Sequence, residues 1–224
     1  MLNPVNSPRP KASFWRAVSA IVWKDLTSEL RHKEIVSAMF VFSLLVVLIF
    51  NFSLELDKAA RDNVAVGVLW VTFVFAATLG LNRTFAAEKD RGLLDGLLLA
   101  PIDRSALFVG KLLSTYIFIL IVESIVVPLF SLLYNVYLFT PLLLLVLLLG
   151  TLGYTVVGTL LAAIAIHTRS REVMLPILLF PVAVPVIMAA VRASTGILEG
   201  DTWGNISGPV NLVVVYDIIL FAIA

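Results

Sequence analysis

From Ile35 onward the chain is a succession of apolar runs, each long enough to cross a bilayer and parted from the next by a short polar stretch. Six runs fall near 35–54, 64–81, 106–134, 138–166, 173–191 and 206–224, and about 20 apolar residues suffice for a helix to span the hydrocarbon core. The third and fourth exceed that length, which predicts tilt or projection out of the membrane. The sixth stops at Ala224 in apolar sequence, as a span does that continues further. Ahead of the first run the pattern takes the helical period over 13–31. Phe14, Trp15, Val18, Ile21, Val22 and Leu26 share one side, Arg16, Lys24, Thr27 and Arg31 lie toward the other, and Ser13 fits an N-cap. An amphipathic helix with two tryptophans beside a span reads as interfacial. Asp25 and Glu29 intrude on its apolar side. Either that end lifts into water or it meets a basic patch on another helix or subunit. Residues 1–12, with Pro4, Pro8 and Pro10, read as a disordered tail.

The longest polar interruption runs from Asn82 to Lys111. Its charges come first, at Arg83, Glu88, Lys89, Asp90 and Arg91, as a charged turn. Gly92 then precedes Leu93, Leu94, Leu97 and Leu98, and Pro101 ends the run. At about 100° per residue the four leucines fall within one arc, with Asp95 and Gly96 outside it. A short helix of this kind, within a segment taken as 83–104, either lies on lipid or inserts into a groove on a partner.

The composition, 60% hydrophobic and 14% charged, with a mean hydropathy of +1.03, is far from the roughly 45–50% apolar and 25% charged of soluble domains. The expected fold class is an all-α polytopic membrane protein. Six spans nearly use up the 224 residues, so residues 13–224 form a single transmembrane domain. Any catalytic domain must come from another chain. The first span, behind a charged helical stretch, reads as its own insertion signal. Lys and Arg are distributed unevenly among the connections. Thirteen of the sixteen fall on one side: Arg9, Lys11, Arg16, Lys24, Arg31, Lys33, Arg83, Lys89, Arg91, Arg104, Lys111, Arg169 and Arg171. The other side has Lys58, Arg61 and Arg192. The positive-inside rule then puts the N-terminus and the 82–111 loop in the cytoplasm.

Candidate chemistry is sparse. A phosphate loop needs a glycine five residues before its second glycine and Ser or Thr after the lysine. Around Val109-Gly110-Lys111 those places hold Ser105 and Leu112, so no nucleotide is bound by that route. The chain has no cysteine, which removes disulfides, thiolate metal sites and C-x-x-C-H haem attachment. His32 and His167 fall at ends of spans beside basic residues, where a solvated imidazole is expected and a metal or haem ligand is not. Glu123 and Asp217 are carboxylates inside apolar runs. A charge in hydrocarbon costs at least about 2.5–3.5 kcal/mol, so each must face protein or water, or be neutral. They are candidates for a substrate path or proton relay, set against plain interhelical hydrogen bonds. For Asp217 a span extending past Ala224 favours a bland site near its outer end. Pro176, Pro181 and Pro185 break up the fifth span, either as packing kinks or as the lining of a transport site. Thr151, Thr155 and Thr159, with Gly150, Gly153 and Gly158, make a small-residue face for close helix packing within or between subunits.

Several strings together resemble the haem exporter protein B (CcmB) family, the permease of the bacterial cytochrome c maturation ABC system. They are WKDLTSELRHKE at 23–34, VGVLWVTFVFAATLGLNRTF at 66–85, EKDRGLLDGLLLAPIDR at 88–104 and LLFPVAVPVIMAAV at 178–191. The third is the most specific: Asp90, Gly92, Leu94, Leu97, Leu98, Leu99, Ala100 and Pro101 meet the family pattern, whereas Asp95 and Gly96 stand where members commonly carry Glu-Gln. The resemblance implies an ABC-2-type exporter permease in the bacterial inner membrane. Its implied partners are a second permease copy, a separate CcmA-like ATPase that binds ATP, CcmC/CcmD-like haem-handling subunits and a haem chaperone, with haem as cargo and no cofactor held directly. It further implies that Asp90, Arg91, Gly92, Leu93, Leu94, Asp95, Leu97, Leu98 and Pro101 couple to the ATPase. Competing readings are a generic ABC-2-type exporter of lipid or glycan, and an assembly scaffold that translocates nothing. A membrane enzyme is the weakest, since no nucleophile and histidine pair at membrane depth. No nucleic-acid partner is implied.

Overall fold

The structure, a computed structural model, describes residues 13–54, 58–90, 102–165 and 171–224, with the backbone alone at 58–63, 86–90 and 171–172. The described residues form seven helices: α1 Phe14–His32, α2 Glu34–Ser53, α3 Lys58–Asp90, α4 Arg104–Tyr134, α5 Pro141–Ala165, α6 Arg171–Glu199 and α7 Trp203–Ile223. The last six are long and apolar enough to cross a membrane, so the chain is a polytopic, all-helical membrane protein.

The six expected spans all appear, and several helices outrun their apolar runs. α3 continues through the charged stretch to Asp90, where a turn was expected. Alanine, Glu and Lys at 86–89 are good helix formers, so the backbone had no local reason to stop. α6 likewise runs unbroken through Pro176, Pro181 and Pro185. These prolines do not break the span. A proline forgoes one backbone bond, and neighbouring groups can take up the freed carbonyls. Pro181 and Pro185 lie on the exposed side of α6. Elsewhere on α6, Val182 O accepts a hydrogen bond from the Tyr216 hydroxyl of α7.

The core is one continuous cluster to which α2 through α7 all contribute. α3 and α5 are the most enclosed spans, whereas α2 and α7 leave most of their surface outward. The small residues of α5 explain its depth. A Cβ at Gly150 would overlap Trp70 of α3, one at Gly158 would overlap Leu81 of α3, and one at Gly153 would overlap Asp217 of α7. The small-residue face therefore packs within the chain.

α1 packs along one flank against α4. Ala17, Val18 and Ile21 are buried, the first two against Ala106 of α4 in a separate small cluster. A Cβ on Gly110 would lie 2.9 Å from Ile21. Protein thus covers one flank of the apolar side, while Trp15, Trp23 and Leu30 point outward. A single left-handed residue, Lys33 at φ 54°, separates α1 from α2.

Candidate functional site: charged and polar contacts among the spans

Two sets of polar residues are buried. The first ties α1 to the rest of the molecule. Asp25 and Glu29 follow Ile21 at four-residue intervals and so share its face. Asp25 Oδ2 lies 2.8 Å from Lys111 Nζ on α4, with both side chains buried; Lys24 Nζ lies 3.2 Å from Asp25 Oδ1. Glu29 Oε1 accepts from the backbone N–H groups of Ile35 and Val36 at 2.9 and 2.8 Å. Those donors belong to the first turn of α2, which has no intrahelical acceptor, so Glu29 caps α2 from the preceding helix. The two acids answer to another helix in each case, and neither marks a helix end lifting into water.

The second set lies between the spans. Thr151 Oγ1 of α5 donates to Glu123 Oε1 of α4, and Thr155 Oγ1 donates to the Thr151 carbonyl. Thr78 of α3 and Tyr154 of α5 join hydroxyls at 2.6 Å, and Trp70 Nε1 of α3 donates to Ser194 Oγ of α6 at 3.1 Å. Tyr116 of α4 donates to Leu148 O of α5. Asp217 is 7% exposed. Its neighbour Gly153 falls near the middle of α5. That depth corrects the expectation of a site near the outer end: the absent side chain at Gly153 makes room for a carboxyl in mid-bundle. Both Asp217 oxygens accept no hydrogen bond from the described residues.

The other expected site residues fare unequally. Asp90 closes α3, with its backbone alone described. Arg91, Gly92, Leu93, Leu94, Asp95, Leu97, Leu98 and Pro101 lie outside the described residues, as does His167. His32 is exposed at the end of α1. Sequence reasoning missed the role of Lys111. The Gly110-Lys111 pair, tested as a phosphate loop, is where α4 receives α1. A lysine inside a helical apolar pattern, with two acids on a neighbouring apolar face, was the available signal.

In this arrangement buried polar groups join helix to helix. Residues 16–224 match the model of the CcmB protein family. The chain belongs to the CcmB family. Similar proteins include heme exporter protein B of Rhodobacter capsulatus, 31% identical over 173 residues, covering 75% of this chain and 78% of that protein. Heme exporter protein B of Bradyrhizobium diazoefficiens is 26% identical over 185 residues, covering 82% and 83%. That of Pseudomonas aeruginosa is 26% identical over 161 residues, covering 71% and 72%. The CcmB match thus takes in α1 from Arg16 onward and all six spans, with Asp25, Glu29, Lys111, Glu123 and Asp217 among them.

Proposed function

We propose that this chain is the membrane permease of a haem exporter serving c-type cytochrome maturation, driven by ATP hydrolysis in a separate CcmA-like subunit. The observation that carries this reading is the CcmB family match over residues 16–224. With no phosphate loop in its own sequence, the chain takes its energy from a partner. The leucine arc at Leu93, Leu94, Leu97 and Leu98 suits a groove on that partner, with Asp90, Arg91 and Asp95 as polar contacts and Gly92 and Pro101 as its flexible start and rigid stop. The bias of Lys and Arg supports a cytoplasmic N-terminus and a cytoplasmic leucine segment, in the inner membrane.

The clamp between α1 and α4 gives a push on that segment somewhere to go. α4 begins at Arg104, three residues past Pro101, and carries α1 through Lys111 and Asp25. Displacement of the segment would then move α4 and α1 as one unit. Glu123 has a partner within the bundle and serves as a link from α4 to α5, whereas Asp217 is the better candidate for a group facing the transport path. A second permease copy, and CcmC/CcmD-like subunits with a haem chaperone, complete the assembly we envisage.

Reconstitution tests this. Vesicles containing the chain and its ATPase should accumulate haem only when ATP is supplied. Leu94→Glu should abolish co-purification of the ATPase. Retained co-purification would remove the leucine arc as the coupling element. An assembled complex that hydrolyses ATP without moving haem would favour a scaffold.

A further inference from the structure

A half-open groove of about 240 Å³ lies where α1, α2 and α4 meet, walled by Leu30, Val36, Phe118 and Ile121 among others, with Lys33 at the hinge. Its depth in the bilayer follows from α2. Twenty residues at 1.5 Å each make about 30 Å, the thickness of the hydrocarbon core. The first turn of α2, which forms one wall, therefore stands at the boundary between acyl chains and headgroups. At the same level Arg31, His32 and Lys33 are consecutive and exposed, with the exposed Glu34 next to them, and Lys33 has a left-handed backbone. The one acid in the wall, Glu29, is engaged by two N–H groups of α2, and the positive end of that helix offsets its charge.

We propose that this groove seats one acyl chain of an anionic glycerophospholipid from the leaflet that α1 borders, with the lipid phosphate on Lys33. The walls are almost wholly apolar, which a free anion could not use. The volume falls below the roughly 300–1,000 Å³ of sites for drug-sized ligands, too small for a tetrapyrrole but suited to one hydrocarbon chain. Basic pockets between helices at the membrane surface are the usual seats of anionic headgroups. The proposal is independent of the cargo, and its test involves no transport.

The test is lipid retention. The full chain, purified in mild detergent after exchange with phosphatidylglycerol or phosphatidylcholine vesicles, is weighed by native mass spectrometry. Phosphatidylglycerol should be retained several-fold above phosphatidylcholine, and excess inorganic phosphate should not displace it. Lys33→Asn removes the charge while tolerating the left-handed backbone, and should bring phosphatidylglycerol down to the phosphatidylcholine level. Ile121→Trp, which fills the groove without altering charge, should lower phosphatidylglycerol retention as well. Equal retention of the two lipids by the unaltered chain, displacement by phosphate, or unchanged retention in both variants at an unchanged melting temperature would each overturn the assignment.

Discussion

Lys111 Nζ on α4 lies 2.8 Å from Asp25 Oδ2 on α1, across 86 residues of chain, and both side chains are buried. One turn before Asp25, Ile21 rests on Gly110, the residue preceding Lys111. The glycine brings the helices close and the lysine then meets the acid. A dipeptide that fails as a phosphate loop is the seat of the N-terminal helix.

Removing one member of that pair should destabilise more than removing both. Breaking a buried ion pair costs about 3–5 kcal/mol, whereas replacing it with apolar residues is often near neutral. Lys111→Met should fall toward the lower figure, because Lys24 remains 3.2 Å from Asp25. The Asp25→Leu/Lys111→Met double variant should recover most of the loss. Thermal unfolding in detergent gives the comparison, and additive losses would mean that the two residues are not coupled.

The cap on α2 should be sensitive to one oxygen. Glu29→Ala strips the acceptor from Ile35 and Val36 and should cost about 0.5–2 kcal/mol, as loss of an N-cap does. Glu29→Gln keeps an acceptor and should cost less. Amide hydrogen exchange at Ile35 and Val36 would report it directly, with faster exchange in the alanine variant.

Gly153 and Asp217 should show second-site suppression. A methyl group at Gly153 would overlap Asp217 Oδ1, and overpacking typically costs about 1–3 kcal/mol. Gly153→Ala should lower the melting temperature, and Asp217→Ala in the same chain should restore part of it. An unrelieved double variant would place the strain at Val186, 3.1 Å from the same position.

The hydroxyl pair of Thr78 and Tyr154 should matter modestly. Hydrogen bonds between membrane helices average about 0.6 kcal/mol and reach about 1.7, so Tyr154→Phe should lose an amount in that range. Thr78→Val should lose a similar amount, and the double variant little more than either alone. A double-mutant cycle on unfolding free energies checks it.

Much of this was legible in the order of residues. The six spans stand out because each is a long apolar run, and hydrocarbon leaves the backbone no choice but a helix. The small residues of α5 announced close packing because their size alone permits it. The three prolines misled: local chemistry says where a backbone bond is missing, not whether neighbours make the gap harmless. The charged end of α3 misled in the same direction, since charge marks where a helix meets water and not where it stops.

Hydropathy and the family motifs settled class and kinship by themselves, because both are written in residues close together along the chain. Partner choice was decided only when the helices packed. Asp25 could have met water, lipid or protein until α4 placed Lys111 beside it. Asp217 took its mid-bundle place only because Gly153, 64 positions earlier in the sequence, left a vacancy of the right size. Buried hydroxyls such as Thr72 and Thr155 could find a carbonyl one turn back in their own helix, whereas Asp25 and Glu123 found their partners on other helices, which only the tertiary arrangement sets within about 3 Å.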